Sequence, residues 1–525
     1  MRPASKHSKP GSTPNPRPHA GGRPDLRHRS RSLVLAAAPS SVCFSPPAPR
    51  SGSESSYRKY NTPNMTIFHD REREIESLER SFESPVAALY ILYGRRRLGK
   101  TTLLRRFAGH KPGVYHMADR STGADAIRLL SQSMALAFGD PSFANPRYET
   151  FGDLFTAYDR LRPTTKSYLI LDEYQYLCDV EPALSSILQR QWDSTWSRAP
   201  VMVVLCGSVM SMMHKETLAR SSPLYGRRTG QWLLRPMRFR EVGAFYAGHS
   251  PLERVRLWAL SGGVPRYAET TAAHRGFSSA LRACVLAKDG PLYAEARLLL
   301  HDEVTTPNVY WSLLHAVASG ANRISEIAGR VGLPANQLTR YLAALSDMGL
   351  VQRQVPVTER HPEKSKRGLY QLDDAFLRLW FGCVAPFESL LEFGQVARVE
   401  ELMQERLSRH LAWAFEDVCR QHVEDRLHEI GAVKVGRFWN RHEEIDVVAV
   451  DEEGAVVLAG ECKWTERPAS VEVGETLRRK VERLWPERHD RIRLAVFSAG
   501  GFGDALQGWA RERGAWLLGG RDLVE

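Results

Sequence analysis

The feature that most limits what this chain can fold into is a strand, a loop and a helix joined without a break over residues 87–108. AALYILY (87–93) is a short apolar run of the kind that forms a strand buried on both faces. It runs directly into GRRRLGKT (94–101) and then into a helical stretch, TLLRRFAG. This is the pattern G-x-x-x-x-G-K-[ST] between a strand and a helix, the context that gives it meaning. Gly94 and Gly99 let the backbone curl so that its N–H groups point inward at phosphate, and the new helix adds its positive end. Gly94, Arg95, Arg96, Arg97, Leu98, Gly99, Lys100, Thr101 and Thr102 are therefore the expected nucleotide-binding segment. Lys100 is expected to reach the β- and γ-phosphates of ATP, and Thr101 to ligate Mg²⁺.

SYLIL (167–171) is a second buried-strand run, and it ends in Asp172-Glu173. In a parallel sheet the C-terminal ends of the strands gather where ligands bind, so this pair should face the Gly94 loop. Asp172 is expected to hold Mg²⁺, and Glu173 to orient and deprotonate the attacking water. A third run, VMVVLC (201–206), is followed by Gly207-Ser208, where Ser208 is either a γ-phosphate sensor or a turn serine. In SPLYGRRTGQ, Arg227 and Arg228 are either transition-state cations or solvated surface; Arg228 is the candidate retained.

These residues resemble a family of prokaryotic ATPases, first described mainly in archaea, within the signal-transducing (STAND) branch of AAA+-like P-loop NTPases. The resemblance rests on FHDREREIESL (68–78), GRRRLGKTTLL, LILDEYQYL, LCGS, SPLYGRRTG and SGGVPRY (261–267), and extends toward the C-terminus. It implies that Arg71 and Glu72 open the domain near the nucleotide, and that Pro265 lies against the nucleotide from a small helical lid.

A chain of 525 residues exceeds one ordinary core. The expected organisation is a basic tail over 1–64, an ATPase core over 65–240, a lid over 241–304, a winged helix over 305–385 and a C-terminal domain over 386–525. Of the formal net charge of +12, residues 1–64 supply +9 and everything after them +3, so the basic balance says little about what the folded part binds. The tail is rich in Pro, Ser, Arg and Gly, a composition that suits disorder, with an organelle transit peptide as the alternative. Met65 is read as the functional start. Seven scattered cysteines without a Cys-x-x-Cys pair suggest neither a zinc site nor a disulfide framework, and a cytoplasmic setting is expected. No apolar run approaches the roughly 18 residues of a membrane span.

From 310 to 350 the pattern is helical, with Leu338, Leu342 and Leu345 at core spacing, and Gly332-Leu333-Pro334 separates two helices in helix-turn-helix proportion. VQRQVPV, the charged loop HPEKSKRG and LYQL then read as a wing. If the module meets DNA, Asn336, Gln337 and Arg340 are the groove-facing candidates, with Lys364, Lys366 and Arg367 at phosphate; packing or protein contact is the other reading.

Near the C-terminus, IDVVAV, the turn DEEG and AVVLAGECKW form a hairpin in which paired residues sum to 907. That register sets Asp446 opposite Glu461, with Lys463 on the same face. Two carboxylates for a divalent metal and an ammonium to position water are what phosphodiester hydrolysis needs. The arrangement resembles the PD-(D/E)xK nuclease core, with Glu416 on the preceding helix as a third acid, and the same closing domain accompanies these ATPases as one of unknown function. Parity also sets Glu444 against Lys463, an alternative structural ion pair.

The expected fold class is α/β: a parallel-sheet ATPase domain with a lid, a winged helix and a restriction-endonuclease-like C-terminal domain. Two functions follow. One is an ATPase driving a winged helix and a Mg²⁺-dependent nuclease on DNA; the other is a nucleotide switch whose C-terminal domain binds without cleaving. The partners expected are ATP, DNA, and a protein or a second copy of the chain.

Overall fold

Five apolar segments of the N-terminal half assemble into a parallel sheet: β1 (Ala88–Tyr93), β2 (Gly113–Met117), β3 (Ser167–Asp172), β4 (Val201–Gly207) and β5 (Gly230–Leu233), in the spatial order β2-β3-β4-β1-β5. β3 and β4 are buried along their whole length, as parallel strands covered by helices on both faces must be. The computed structural model describes residues 70–144, 148–304 and 306–524, all within one compact unit, Thr66–Glu525. The tail, the start at Met65 and the opening residue Phe68 lie outside the described residues. The three strands expected from sequence are present; β2 and β5 had not been anticipated. β5 has only four residues and alternates in exposure less clearly, so its sequence carries little strand signal.

The central strand β1 delivers the loop to helix Lys100–Ala108. Gly94 is needed there by close approach: a Cβ would stand 2.5 Å from the Leu234 carbonyl oxygen, just past β5. Gly99 is needed by conformation, since its φ of 88° is left-handed although the space around it is open.

Helices over 251–272, together with Glu295–Glu303, form the lid region. Pro307–Ala318, Ile324–Val331 and Ala335–Asp347 follow, then the antiparallel pair β6 (Val351–Gln354) and β7 (Leu369–Leu372). Leu338, Leu342 and Leu345 are buried. The expected strand through VQRQVPV stops at Gln354. Past Pro356, the Val357 N–H donates to the Arg437 carbonyl at 2.9 Å, so the wing leaves β7 and lies against the C-terminal domain.

That domain is a mixed sheet ordered β12-β11-β10-β9-β8, from β8 (Lys434–Trp439), β9 (Glu444–Val450), β10 (Val456–Lys463), β11 (Arg493–Ser498) and β12 (Trp516–Gly519). Helix Gln404–Glu424 packs on it and carries Glu416. Between wing and sheet stands a short connector helix, Ala375–Leu379, with Asp374 as its N-cap; the Asp374 carboxylate accepts the Leu377 N–H at 2.7 Å. Among the described residues no helix is long and apolar enough to cross a membrane.

Candidate functional site

The loop folds around its own lysine. The Lys100 ammonium is buried and donates to the Gly94 and Arg95 carbonyls at 2.7 and 2.9 Å. Thr101 opens the helix and donates its hydroxyl to Asp172 at 2.7 Å, and Tyr115 on β2 donates to the same carboxylate oxygen at 2.6 Å. Asp172 is fully buried at the end of β3. A hydroxyl and a carboxylate, both oxygen donors and already in contact, fit the hard Mg²⁺ ion.

Glu173 follows in a left-handed conformation with φ 54°, uncommon for a residue with a Cβ and one that aims it away from the strand. Its carboxylate accepts the Ser208 hydroxyl at 2.7 Å and the side-chain amide of Gln175. Ser208 therefore holds Glu173 and is absent from the cavity wall.

A cavity of about 610 Å³ opens in front of the loop, lined by Arg96, Arg97, Leu98, Gly99, Lys100, Thr101, Thr102 and Glu173. Arg71 closes one side, its guanidinium bonded to Glu74 and to the Arg235 carbonyl at 2.8 Å, and Pro265 with Glu269 and Thr270 closes another. Glu72 is not among the lining residues. Neither are Arg227 and Arg228: Arg227 forms a two-pronged pair with Asp193 at 2.8 Å, and Arg228 reaches the Leu218 carbonyl and stacks on Tyr225. The arginines that line the cavity are Arg71, Arg96 and Arg97.

Arg95 departs most from expectation. Its side chain turns away from the cavity and forms a buried ion pair with Asp374, the N-cap of the connector helix. Arg97 pairs with Glu295 of the lid and lies 5.9 Å from the Tyr267 ring; Arg96 donates to Tyr176 at 2.8 Å. Two consecutive-but-one arginines of the phosphate loop thus hold two other parts of the molecule. Tyr115, Gln175 and Asp374 were not identified from sequence. Gln175, two residues after Glu173, was within reach of a local reading, whereas Asp374 is 279 positions from its partner.

Glu303 is buried close behind Lys100, and burial pushes its carboxyl up to about 7 from 4.5, against the lowering pull of Lys100. A raised carboxyl favours the folded protein below the unfolded value, and that contribution is lost as pH rises from 4.5 to 7. Glu303→Gln is therefore expected to match wild type near pH 4.5 and exceed it at pH 8 by ~3 kcal/mol, from 1.36 kcal/mol per pH unit. Denaturant unfolding at both pH values checks this.

In the C-terminal domain the observed register is the expected one from Leu458 onward, whereas nearer the turn it shifts by one between Val456 and Leu458, where Val456 faces Val450. Gly460 faces Val447, Ala459 faces Val448 and Leu458 faces Ala449, and one further step brings Glu461 to Asp446. Asp446 accepts the Cys462 N–H at 2.9 Å. Burial, then the charges of Glu416 and Glu461, push its carboxyl up to about 7. Lys463 donates to Glu461 at 2.8 Å, and Lys480 of helix Val471–Leu484 takes the other Glu461 oxygen at 3.0 Å. Glu444 pairs with Arg437 across β8 rather than with Lys463. Glu416 lies 3.5 Å from Arg420. The three acids adjoin, but among the described residues no group of three or more His, Cys, Asp or Glu is arranged to hold a metal ion. Lysines occupy both oxygens of Glu461. Sequence reasoning found the acids and Lys463, but missed Lys480, Arg420 and Arg437, which come from other elements.

Residues 68–270 match a family described as an ATPase domain predominantly from Archaea, residues 311–355 match the IclR helix-turn-helix domain, and residues 380–477 match archaeal and bacterial proteins of unknown function. An uncharacterized protein of Methanocaldococcus jannaschii is 28% identical over 403 residues, 76% of this chain and 88% of that protein. An uncharacterized ATP-binding protein of the same organism is 47% identical over 47 residues, 9% of this chain and 80% of that one. Among solved structures, the Walker-type ATPase of Pyrococcus abyssi is 22% identical, with 60% of this chain and 96% of that chain covered and a TM-score of 0.47. The chain therefore carries an ATPase domain of the family found predominantly in Archaea, followed by a helix-turn-helix domain and a C-terminal α/β domain.

Proposed function

We propose that this protein is a nucleotide switch of the signal-transducing ATPase kind: ATP bound and hydrolysed at the Lys100 loop governs how the winged helix and the C-terminal domain engage DNA. The observation that carries the reading is the buried pair between Arg95 and Asp374. A loop that must wrap phosphates cannot move without moving Arg95, and Arg95 is tied to the helix joining wing to C-terminal domain. Arg97 and Glu295 tie the same loop to the lid.

At the nucleotide, Lys100 holds phosphate charge, Glu173 orients and deprotonates water, and Ser208 with Gln175 fixes Glu173 in place. Thr101 and Asp172 would hold Mg²⁺, which neutralises charge on the phosphates. Glu173→Gln is expected to keep ATP binding within a few-fold while cutting turnover at least ~100-fold, the usual scale for losing a positioned base. Phosphate release beside a nucleotide titration checks it, and normal turnover in that variant would remove the assigned role.

DNA contact is assigned to Asn336, Gln337 and Arg340, all exposed on helix Ala335–Asp347, with Lys364 and Lys366 exposed in the wing. Arg367 is engaged by Glu359 and the Trp439 carbonyl. The C-terminal domain is assigned a binding role, because Lys463 and Lys480 occupy both oxygens of Glu461, which favours binding over cleavage. The nuclease reading is the second one, favoured by Asp446, Glu461 and Lys463 meeting on adjacent strands. The two separate in one assay: residues 65–525 with plasmid and linear DNA in Mg²⁺ or Mn²⁺, with and without ATP, beside Lys463→Ala. Intact DNA together with active ATPase supports the switch; cleavage lost in the variant supports the nuclease.

A further inference from the structure

A second cavity, also of about 610 Å³, lies where three parts of the chain meet, and no residue of the loop 94–102 lines it. The ATPase core supplies Tyr93, Met210 and His214, the lid supplies Glu303, and the winged helix supplies Tyr310 and Asp347. Glu303 is the buried charge of this wall, 4% exposed. Its Oε2 accepts the Met210 N–H over a long 3.4 Å, and its Oε1 is buried without a partner among the described residues. The Lys100 ammonium does not fill that need, since it gives its bonds to the Gly94 and Arg95 carbonyls. A buried acceptor left unmade costs free energy, which a ligand that donates to it would recover.

The sign of the ligand follows from what surrounds Glu303. Two helices end at the cavity: Glu295–Glu303 on Glu303 itself, and Ala335–Asp347 on Asp347, with Met348 as its C-cap. The last turn of a helix carries partial negative charge from its outward carbonyls, and a cation is the group that ordinarily answers it. Here each end carries an acid, and neither last turn holds a lysine or arginine. Tyr93 and Tyr310, both half-buried, line the same space, and the face of an aromatic ring also attracts a cation. Arg235 and His214 oppose that sign, but both are exposed, and the exposed Asp347 offsets one of them. The buried Glu303 and the two helix ends are left to decide.

We infer that this cavity is a second ligand site, and that it takes a small organic cation: an amine or guanidinium carried on a flat apolar body. The cationic group meets Glu303 and the helix ends, and the apolar body packs against Tyr93, Tyr310, Met210 and Met348. Because the wall comes from the core, the lid and the helix assigned to DNA, one occupant bridges all three. The site itself does not depend on the DNA-binding role.

The test uses the full chain saturated with a non-hydrolysable ATP analogue, so that the first cavity is filled, at about pH 8, above the Glu303 value of about 7. Three probes of one shape are titrated and followed by ligand-observed NMR: benzamidine, a cation; benzamide, neutral; and benzoate, an anion. Benzamidine is expected to bind with a dissociation constant on the order of 1 mM or tighter, reasonable for about nine non-hydrogen atoms. It should bind at least ~10-fold more tightly than benzamide, with benzoate weakest, because a charge-assisted hydrogen bond is the stronger kind. Glu303→Gln keeps the size and removes the charge, so it should weaken benzamidine ~10-fold and leave benzamide unchanged. That variant is expected to be more stable than wild type at this pH, so the loss is not a folding defect. Tyr310→Leu should weaken benzamidine and benzamide alike. Benzoate binding more tightly than benzamidine would overturn the inference and assign the cavity to an anion held by Arg235 and His214. Equal binding of benzamidine and benzamide, benzamidine binding unchanged by Glu303→Gln, or no binding of any probe would overturn it as well.

Discussion

Lys100→Ala is expected to reduce ATP hydrolysis by ~100- to 1,000-fold, the scale reported for removing one preorganised charge stabiliser. Two losses combine. The ammonium that meets the phosphates disappears, and so do the bonds to the Gly94 and Arg95 carbonyls that hold the loop curled. Because Lys100 is buried and those carbonyls face inward, no solvent cation takes its place at the same geometry. Phosphate release measured beside nucleotide titration reads both effects, and a wild-type rate in the variant would remove the loop from the catalytic centre. The same variant should leave DNA binding insensitive to ATP.

Breaking the Arg95 and Asp374 pair is expected to have the largest effect on stability. Both side chains are almost wholly buried, 3% and 1% exposed, and the remaining Arg95 Nη1 has no partner. Removing one partner strands a charge in the interior, so Arg95→Met or Asp374→Ala alone should lower unfolding free energy by about 3–5 kcal/mol. Asp374→Ala also loses the cap on Leu377, adding ~1 kcal/mol. The double variant Arg95→Met with Asp374→Leu should recover most of the loss, because apolar residues of similar volume substitute well for a buried ion pair. That recovered protein provides the functional test. It should fold and hydrolyse ATP, yet its DNA affinity should no longer depend on nucleotide. Retained dependence would mean that Arg97 and Glu295, or another route, carry the coupling.

The pieces of this protein were legible wherever chemistry and position lie close together in the chain. Gly94, Lys100 and Thr101 occur in one octapeptide whose flanking strand and helix can be read directly. The hairpin register beyond Leu458 follows from alternation and one turn, which sets Asp446 opposite Glu461. Leu338, Leu342 and Leu345 gave the winged-helix core by spacing.

What sequence alone could not decide is which way an arginine points. Arg95 reads as a phosphate-loop residue and is instead the anchor of a helix 279 positions away, while Arg227 and Arg228, within SPLYGRRTG, lie off the cavity. Lys480 had no local signal, because its meaning comes from Glu461 on another element. A motif determines backbone geometry over a few residues. The partner of a long cationic side chain is settled only when distant elements pack, since Coulomb attraction and burial act through space and not along the chain.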